Sequence, residues 1–150
     1  MSRQKAKGTD FETDTVKFLR ARLKCDRIER RALHGSHDMG DIFNIPAHGF
    51  EGIAECKNYK QWSKSDLDKW KAETIEQRGN ANADFALLVV HEKGCGEKRF
   101  GQNSCYMQVR DLEKVMGGEF RCLAGESAKD MWVRVTMDDV CQMMMEGEEL

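Results

Sequence analysis

Gly40-Asp41-Ile42-Phe43-Asn44-Ile45 and Phe50-Glu51-Gly52-Ile53-Ala54-Glu55-Cys56-Lys57, joined by Pro46-Ala47-His48-Gly49, form the stretch on which the reading of the fold turns. Two short runs of strand-like residues with the only proline and a glycine between them predict a β-hairpin. A turn centred near His48 sets Asp41 opposite Glu55. Side chains alternate along a strand, so Lys57 points to the same side as Glu55. Two carboxylates and an amine thus converge on one face from local geometry alone.

Such a cluster calls for a compensating cation, because adjacent carboxylates repel and a sheet face ordinarily packs against a helix. Two carboxylates offering only oxygen suit Mg²⁺, a hard ion that keeps several waters and uses the rest of its shell for phosphate. An amine beside that ion can orient or deprotonate an attacking water while the ion offsets charge on a phosphodiester oxygen. Phosphodiester hydrolysis is the chemistry this spacing describes best. The bland alternatives are a strand-start acid at Asp41 and a solvated Glu55–Lys57 pair on an edge strand.

Outward from the hairpin, Thr9-Asp10-Phe11-Glu12 reads as a capping box opening a helix. Phe11, Thr15, Phe18, Leu19 and Leu23 form its apolar stripe to about Lys24, with a largely basic opposite face. In this reading Glu12 has a local reason to exist as well as a possible place in the site. Three strands follow within Arg27–Leu33, Gly40–Ile45 and Phe50–Lys57. Ser63-Lys64-Ser65-Asp66 then caps a second helix, with Leu67, Trp70, Thr74 and Ile75 as its stripe, ending at Gly79-Asn80. Asp84-Phe85-Ala86-Leu87-Leu88-Val89-Val90 is a nearly continuous apolar run, expected as a strand covered on both faces in the middle of a sheet. Beyond Glu92 the pattern predicts a Gly-rich connection, a strand near Cys105–Val109, a helix near Asp111–Met116, a strand near Met131–Val135 and a last helix from Thr136.

The chain of 150 residues and 17.2 kDa is sized for one domain, read here as 1–150. Its 24 Lys and Arg against 26 Asp and Glu give a net charge of −2, which excludes a uniformly basic DNA coat. That total is a cancellation: residues 1–31 hold ten bases against five acids, residues 126–150 two against seven. No stretch is apolar enough to span a bilayer or to form a signal core, so no membrane association is expected. Six cysteines without CxxC pairing read as free thiols of a reducing, cytoplasmic setting.

Asp41, then Glu55-Cys56-Lys57 after a short turn, behind a helix bearing Glu12, resembles the PD-(D/E)xK nucleases of restriction-endonuclease-like fold. Lys7-Gly8, Glu12, Arg30-Arg31, Gly35-Ser36, Asp41-Ile42 and Glu55-Cys56-Lys57 together resemble the archaeal-type Holliday junction resolvases most closely. The resemblance covers about 7–91 and leaves 92–150 as a C-terminal extension. It implies an α/β (α+β) core, a mixed central sheet flanked by helices in the order α-β-β-β-α-β. It further implies that Asp41 and Glu55 bind Mg²⁺, or Mn²⁺ in its place, with the Cys56 carbonyl as another ligand. Lys57 would serve the attacking water and Glu12 would complete the site. DNA contacts are expected from Lys5, Lys7, Arg30, Arg31, Ser36 and Lys60. The implied protein is a homodimer cutting four-way junctions or other branched DNA. The alternatives are a nuclease of this fold acting on flap, nicked or modified DNA, and a non-catalytic DNA-binding module. Gly40 departs from the family motif, whose name has proline before the aspartate.

Other features carry less. Ser36 lies in a His-rich loop without the distant partners of a hydrolase triad. His34 and His37 lack a completing zinc spacing, and Gly94-Cys95-Gly96 lacks the rest of any nucleotide-binding fingerprint. Trp62 and Trp70 could stack on bases or pack in the core. Met143, Met144 and Met145 are expected to pack the last helix.

Overall fold

A computed structural model describes residues 3–31, 38–118 and 125–145. Six strands form one mixed sheet in spatial order β1-β2-β3-β4-β5-β6: Glu29–Arg30, Ile42–Ala47, Phe50–Lys57, Phe85–Val90, Ser104–Gln108 and Trp132–Thr136. The helices are α1 (Arg3–Leu23), α2 (Lys64–Asn80), α3 (Val109–Val115) and α4 (Met137–Met145), with short 3-10 segments at Glu97–Gln102 and Glu126–Asp130. The α-β-β-β-α-β order of the restriction-endonuclease-like core is present, β3 and β4 being its parallel pair. β5 and β6 continue the same sheet antiparallel, so residues after 92 extend the core.

β4 is apolar throughout because both of its faces are covered. Phe85, Leu87 and Val89 enter a core under α1 and α4 with Leu19, Cys56 and Val140, whereas Leu88 and Val90 meet Trp70 on the α2 side. α2 begins where its local chemistry dictates: the Ser63 hydroxyl accepts from the Asp66 amide and the Asp66 carboxylate accepts from the Ser63 amide.

α1 departs from the expected start. It begins at Arg3, and Thr9 lies inside the helix with its hydroxyl donated to the Lys5 carbonyl (3.1 Å). A mid-helix threonine can bond back one turn as readily as it can cap, which defeats the local signal. Glu12 is therefore not a capping residue.

The hairpin also departs in detail. Its turn residues are His48 and Gly49, both at positive φ, and Pro46 lies within β2 rather than between strands. A proline is accommodated there because two-residue β1 covers only Ile42 and Phe43, leaving that edge open. Continued without interruption, this register would place Asp41 opposite Cys56. A bulge at Phe43–Asn44, facing Ile53, shifts the pairing by one residue and restores Ile42 opposite Ala54. Asn44 takes φ 63° there and donates its side-chain amide to the Arg27 carbonyl.

Among the described residues, Cys25, Cys56, Cys95, Cys105 and Cys141 are unpaired thiols, and no helix is long and apolar enough to cross a membrane.

Candidate active site

The bulge brings Asp41 against the end of β3. Its amide donates to the Ala54 carbonyl (3.0 Å), and its Oδ2 accepts from the Cys56 amide (2.9 Å). Gly40 supports this placement at φ +95°, where proline, locked near −65°, cannot go. The departure from the motif's name is thus a backbone requirement, and a side chain at residue 40 would also press on Ile53.

Glu55 and Lys57 project from β3 toward α2, while Cys56 is buried on the opposite face with Phe11. Lys57 Nζ lies 3.6 Å from Glu55 Oε1 and 3.2 Å from Glu73 Oε2, beside the Trp70 ring. From the other layer, α1 carries Glu12 to the same end of the sheet, 3.9 Å from Arg30. Glu12, Asp41, Glu55 and Lys57 line one cleft of about 340 Å³, together with Lys5, Gly8 and Tyr59. Gln4 donates to the Asn58 carbonyl (2.7 Å) and holds the start of α1 over this end.

The cluster is electrostatically costly. Burial, then the neighbouring Asp41, pushes Glu55 up to about 9 and Glu12 up to about 8. Burial acts on Lys57 in the opposite sense, but Glu55 and Glu73 outweigh it and hold Lys57 above its ordinary value. Lys57 is therefore an ammonium in this arrangement, suited to donating hydrogen bonds rather than to taking a proton. Glu55 Oε2 is buried without a hydrogen-bond partner, an expensive state for a carboxylate oxygen.

These features fit a divalent cation. Among the described residues no three His, Cys, Asp or Glu side chains form a ready-made coordination shell. The available donors are the carboxylates of Asp41 and Glu55, an all-oxygen set with one orphaned oxygen. Raised carboxyl groups also set a pH dependence. In chelator, Glu12 and Glu55 are protonated in the fold at pH values where the unfolded chain has lost those protons, so stability present near pH 4.5 is lost as pH rises through about 8–9. We expect the melting temperature in chelator to fall from pH 5 to pH 9. Saturating Mg²⁺ should raise it by roughly 5–10 °C at pH 8–9 and by much less at pH 5; a cation effect independent of pH in thermal melts would contradict this site.

The expected DNA-contact residues are distributed unevenly. Lys5 lines the cleft, and Lys7 and Lys60 line an adjoining groove that shares Tyr59 with it. Arg30 stands beside Glu12. Arg31 is turned away: its guanidinium lies over the Phe43 ring and lines a separate cavity. Ser36, His34 and His37 lie outside the described residues. Trp70 is buried, as a core residue.

Sequence reading missed the role of α2. Besides Glu73 on Lys57, Gln77 donates to Asp38 Oδ2 (2.8 Å) and Asn80 to the Asp38 carbonyl (2.8 Å), while Asp38 Oδ1 accepts from the Gly40 amide. One helix thereby braces both the amine and the turn into Asp41. The available signal was Trp70, Glu73 and Gln77 at i, i+3 and i+7, a polar continuation of a core-facing stripe.

No curated protein and no solved structure matches this chain. A family model described as "Phage putative PDDEXK endonuclease" matches residues 3–143, a span that includes every element of the sheet and Glu12, Asp41, Glu55 and Lys57 of the cleft. The protein belongs to this family of PD-(D/E)xK nucleases.

Proposed function

We propose that the protein is a Mg²⁺-dependent DNA endonuclease acting on branched DNA, with four-way junctions as the foremost substrate. The observation that carries the nuclease reading is the meeting of Glu12, Asp41, Glu55 and Lys57 at one end of β3. When bound by Asp41 and Glu55, with the Cys56 carbonyl, the cation supplies Lewis acidity and charge for a phosphodiester oxygen. Glu55 and Glu73 hold Lys57 as an ammonium whose Nζ donates to and orients the attacking water. Arg30 and Lys5 border the cleft as phosphate-binding cations.

Branched DNA is supported by the resemblance of the motif set to junction resolvases. A homodimer suits it, since two sites related by a two-fold axis can nick opposed strands of a near-symmetric junction. The test is the purified chain with a panel of four-way junctions, flaps, nicked and linear duplexes, with Mg²⁺ and with chelator. Paired nicks in the junction, dependent on the cation and favoured over linear duplex, are expected. Preference for linear duplex overturns the branched-DNA reading, and no cation-dependent cutting of any substrate overturns the nuclease reading.

A further inference from the structure

Next to the cleft lies a second groove of about 420 Å³, and Tyr59 forms part of both. Its walls come from three segments: Lys7 on α1, Tyr59, Lys60 and Trp62 after β3, and His91 and Lys93 after β4. Tyr59 is 41% exposed, yet it is not loose, because its ring stacks on buried Trp70 with centroids 5.4 Å apart and planes 23° from parallel. One face of a fixed aromatic ring is thus covered by protein while the residue stays substantially open to solvent. Trp62 packs on Trp70 from another side and supplies a second aromatic surface.

The groove is also cationic. Lys7, Lys60 and Lys93 have no ion-pair partner among the described residues. The acid in the lining, Glu92, is engaged elsewhere: its Oε1 accepts from the Ser104 hydroxyl (2.6 Å), whose oxygen in turn accepts from Arg134 Nε (2.6 Å). His91 is held by the Cys95 carbonyl and the edge of Phe11. A braced aromatic platform flanked by unpaired lysines is the combination that binds single-stranded nucleic acid, with bases on rings and phosphates on ammonium groups. A base inside a duplex shows only its edges, so away from a duplex end this platform is open only to an unstacked nucleotide.

We propose that this groove seats an unpaired nucleotide immediately beside the scissile phosphate, its base stacked on Tyr59 and its backbone held by Lys7, Lys60 and Lys93. The inference rests on the nuclease reading for what lies next door and refines its substrate class: the cut falls where a strand leaves the duplex. Branch points with at least one splayed nucleotide are then preferred over fully stacked ones.

Binding is measured in chelator, where no cutting occurs, with the full chain and two DNA duplexes: one blunt, one with a short single-stranded tail carrying 2-aminopurine at the branch. Wild-type protein should bind the tailed duplex more tightly and quench the 2-aminopurine. Tyr59→Ala should weaken tailed binding by roughly 10- to 100-fold and abolish the quench, and Tyr59→Phe should restore both. Since Tyr59→Ala also removes a contact of Trp70, exposed Lys93→Gln serves as an independent probe of the opposite wall and should reduce the tailed-to-blunt affinity ratio. Equal affinity for the two duplexes, or a ratio and quench unchanged in Tyr59→Ala, overturns the proposal. Cation-dependent cutting, assayed separately on the same DNAs, distinguishes the two readings: cutting without tail preference defeats the groove alone, whereas tail binding with quench supports the groove even if no DNA is cut.

Discussion

Asp41→Asn should lower cation-dependent DNA cleavage by at least about 10²–10³-fold while raising thermal stability in chelator at pH 8. The loss is of the size expected when one charged group is removed from a preorganised site. The gain follows from the same geometry. Asp41 holds the carboxyl groups of both Glu12 and Glu55 above their ordinary range, so without the cation the fold at pH 8 must keep protons that the unfolded chain has shed, a cost that Asp41→Asn reduces. Asparagine keeps an oxygen that can accept from the Cys56 amide, as Asp41 Oδ2 does at 2.9 Å, and the local backbone is retained. Lys57→Ala should cost a similar factor in rate but should not stabilise, because it leaves Glu55 and Glu73 without their shared cation. Opposite signs in activity and stability separate a functional carboxylate from a structural one. Rates come from single-turnover cleavage with Mg²⁺ and stabilities from thermal melts; wild-type cleavage by Asp41→Asn would sink the assignment.

Asp111→Ala should destabilise the whole fold by about 3–5 kcal/mol, lowering the melting temperature by roughly 10 °C or more. Asp111 is 1% exposed and accepts from Arg78 at 2.9 and 3.0 Å and from the amides of Ala86 and Gln108 at 3.2 Å. Burial raises its carboxyl above the usual range more than Arg78 and the two amides lower it. Truncation orphans two buried amides and removes the ion-pair partner of Arg78, which keeps only its bond to Gln108 Oε1 (3.0 Å). The elements joined are α2, β4, β5 and α3, so one side chain couples the region after residue 92 to the core that bears the site. Asp111→Asn, which still offers an acceptor, should lose less. Urea denaturation gives the free energies, and an Asp111→Ala midpoint equal to wild type would contradict this account.

Signals confined to neighbouring residues proved readable. The Ser63–Asp66 cap is made by atoms three residues apart, and the continuous apolar run of β4 reflects the covering of both faces that a central strand requires. Alternation correctly put Glu55 and Lys57 on one face, since it follows from strand geometry alone. The Thr9 signal failed because a threonine's local hydrogen bond serves a cap or a helix interior equally well. The facing of Asp41 and the end of β3 was anticipated with the turn misplaced by half a residue, and a bulge at Phe43–Asn44 offset the error. That bulge is anchored by a bond from Asn44 to Arg27, seventeen residues away, beyond the reach of any hairpin rule.

The sequence by itself determined the element order, the central strand and the pairing of Glu55 with Lys57 on one strand face, because these depend on periodicity, capping and spacing within short windows. Tertiary structure alone decided that Glu12 leaves the cap and joins Asp41, that Glu73 joins Glu55 in pairing with Lys57, and that Tyr59 stands braced between cleft and groove. Each of these depends on two elements meeting across a layer, and the burial and charge that shift a carboxyl group exist only once both are in place.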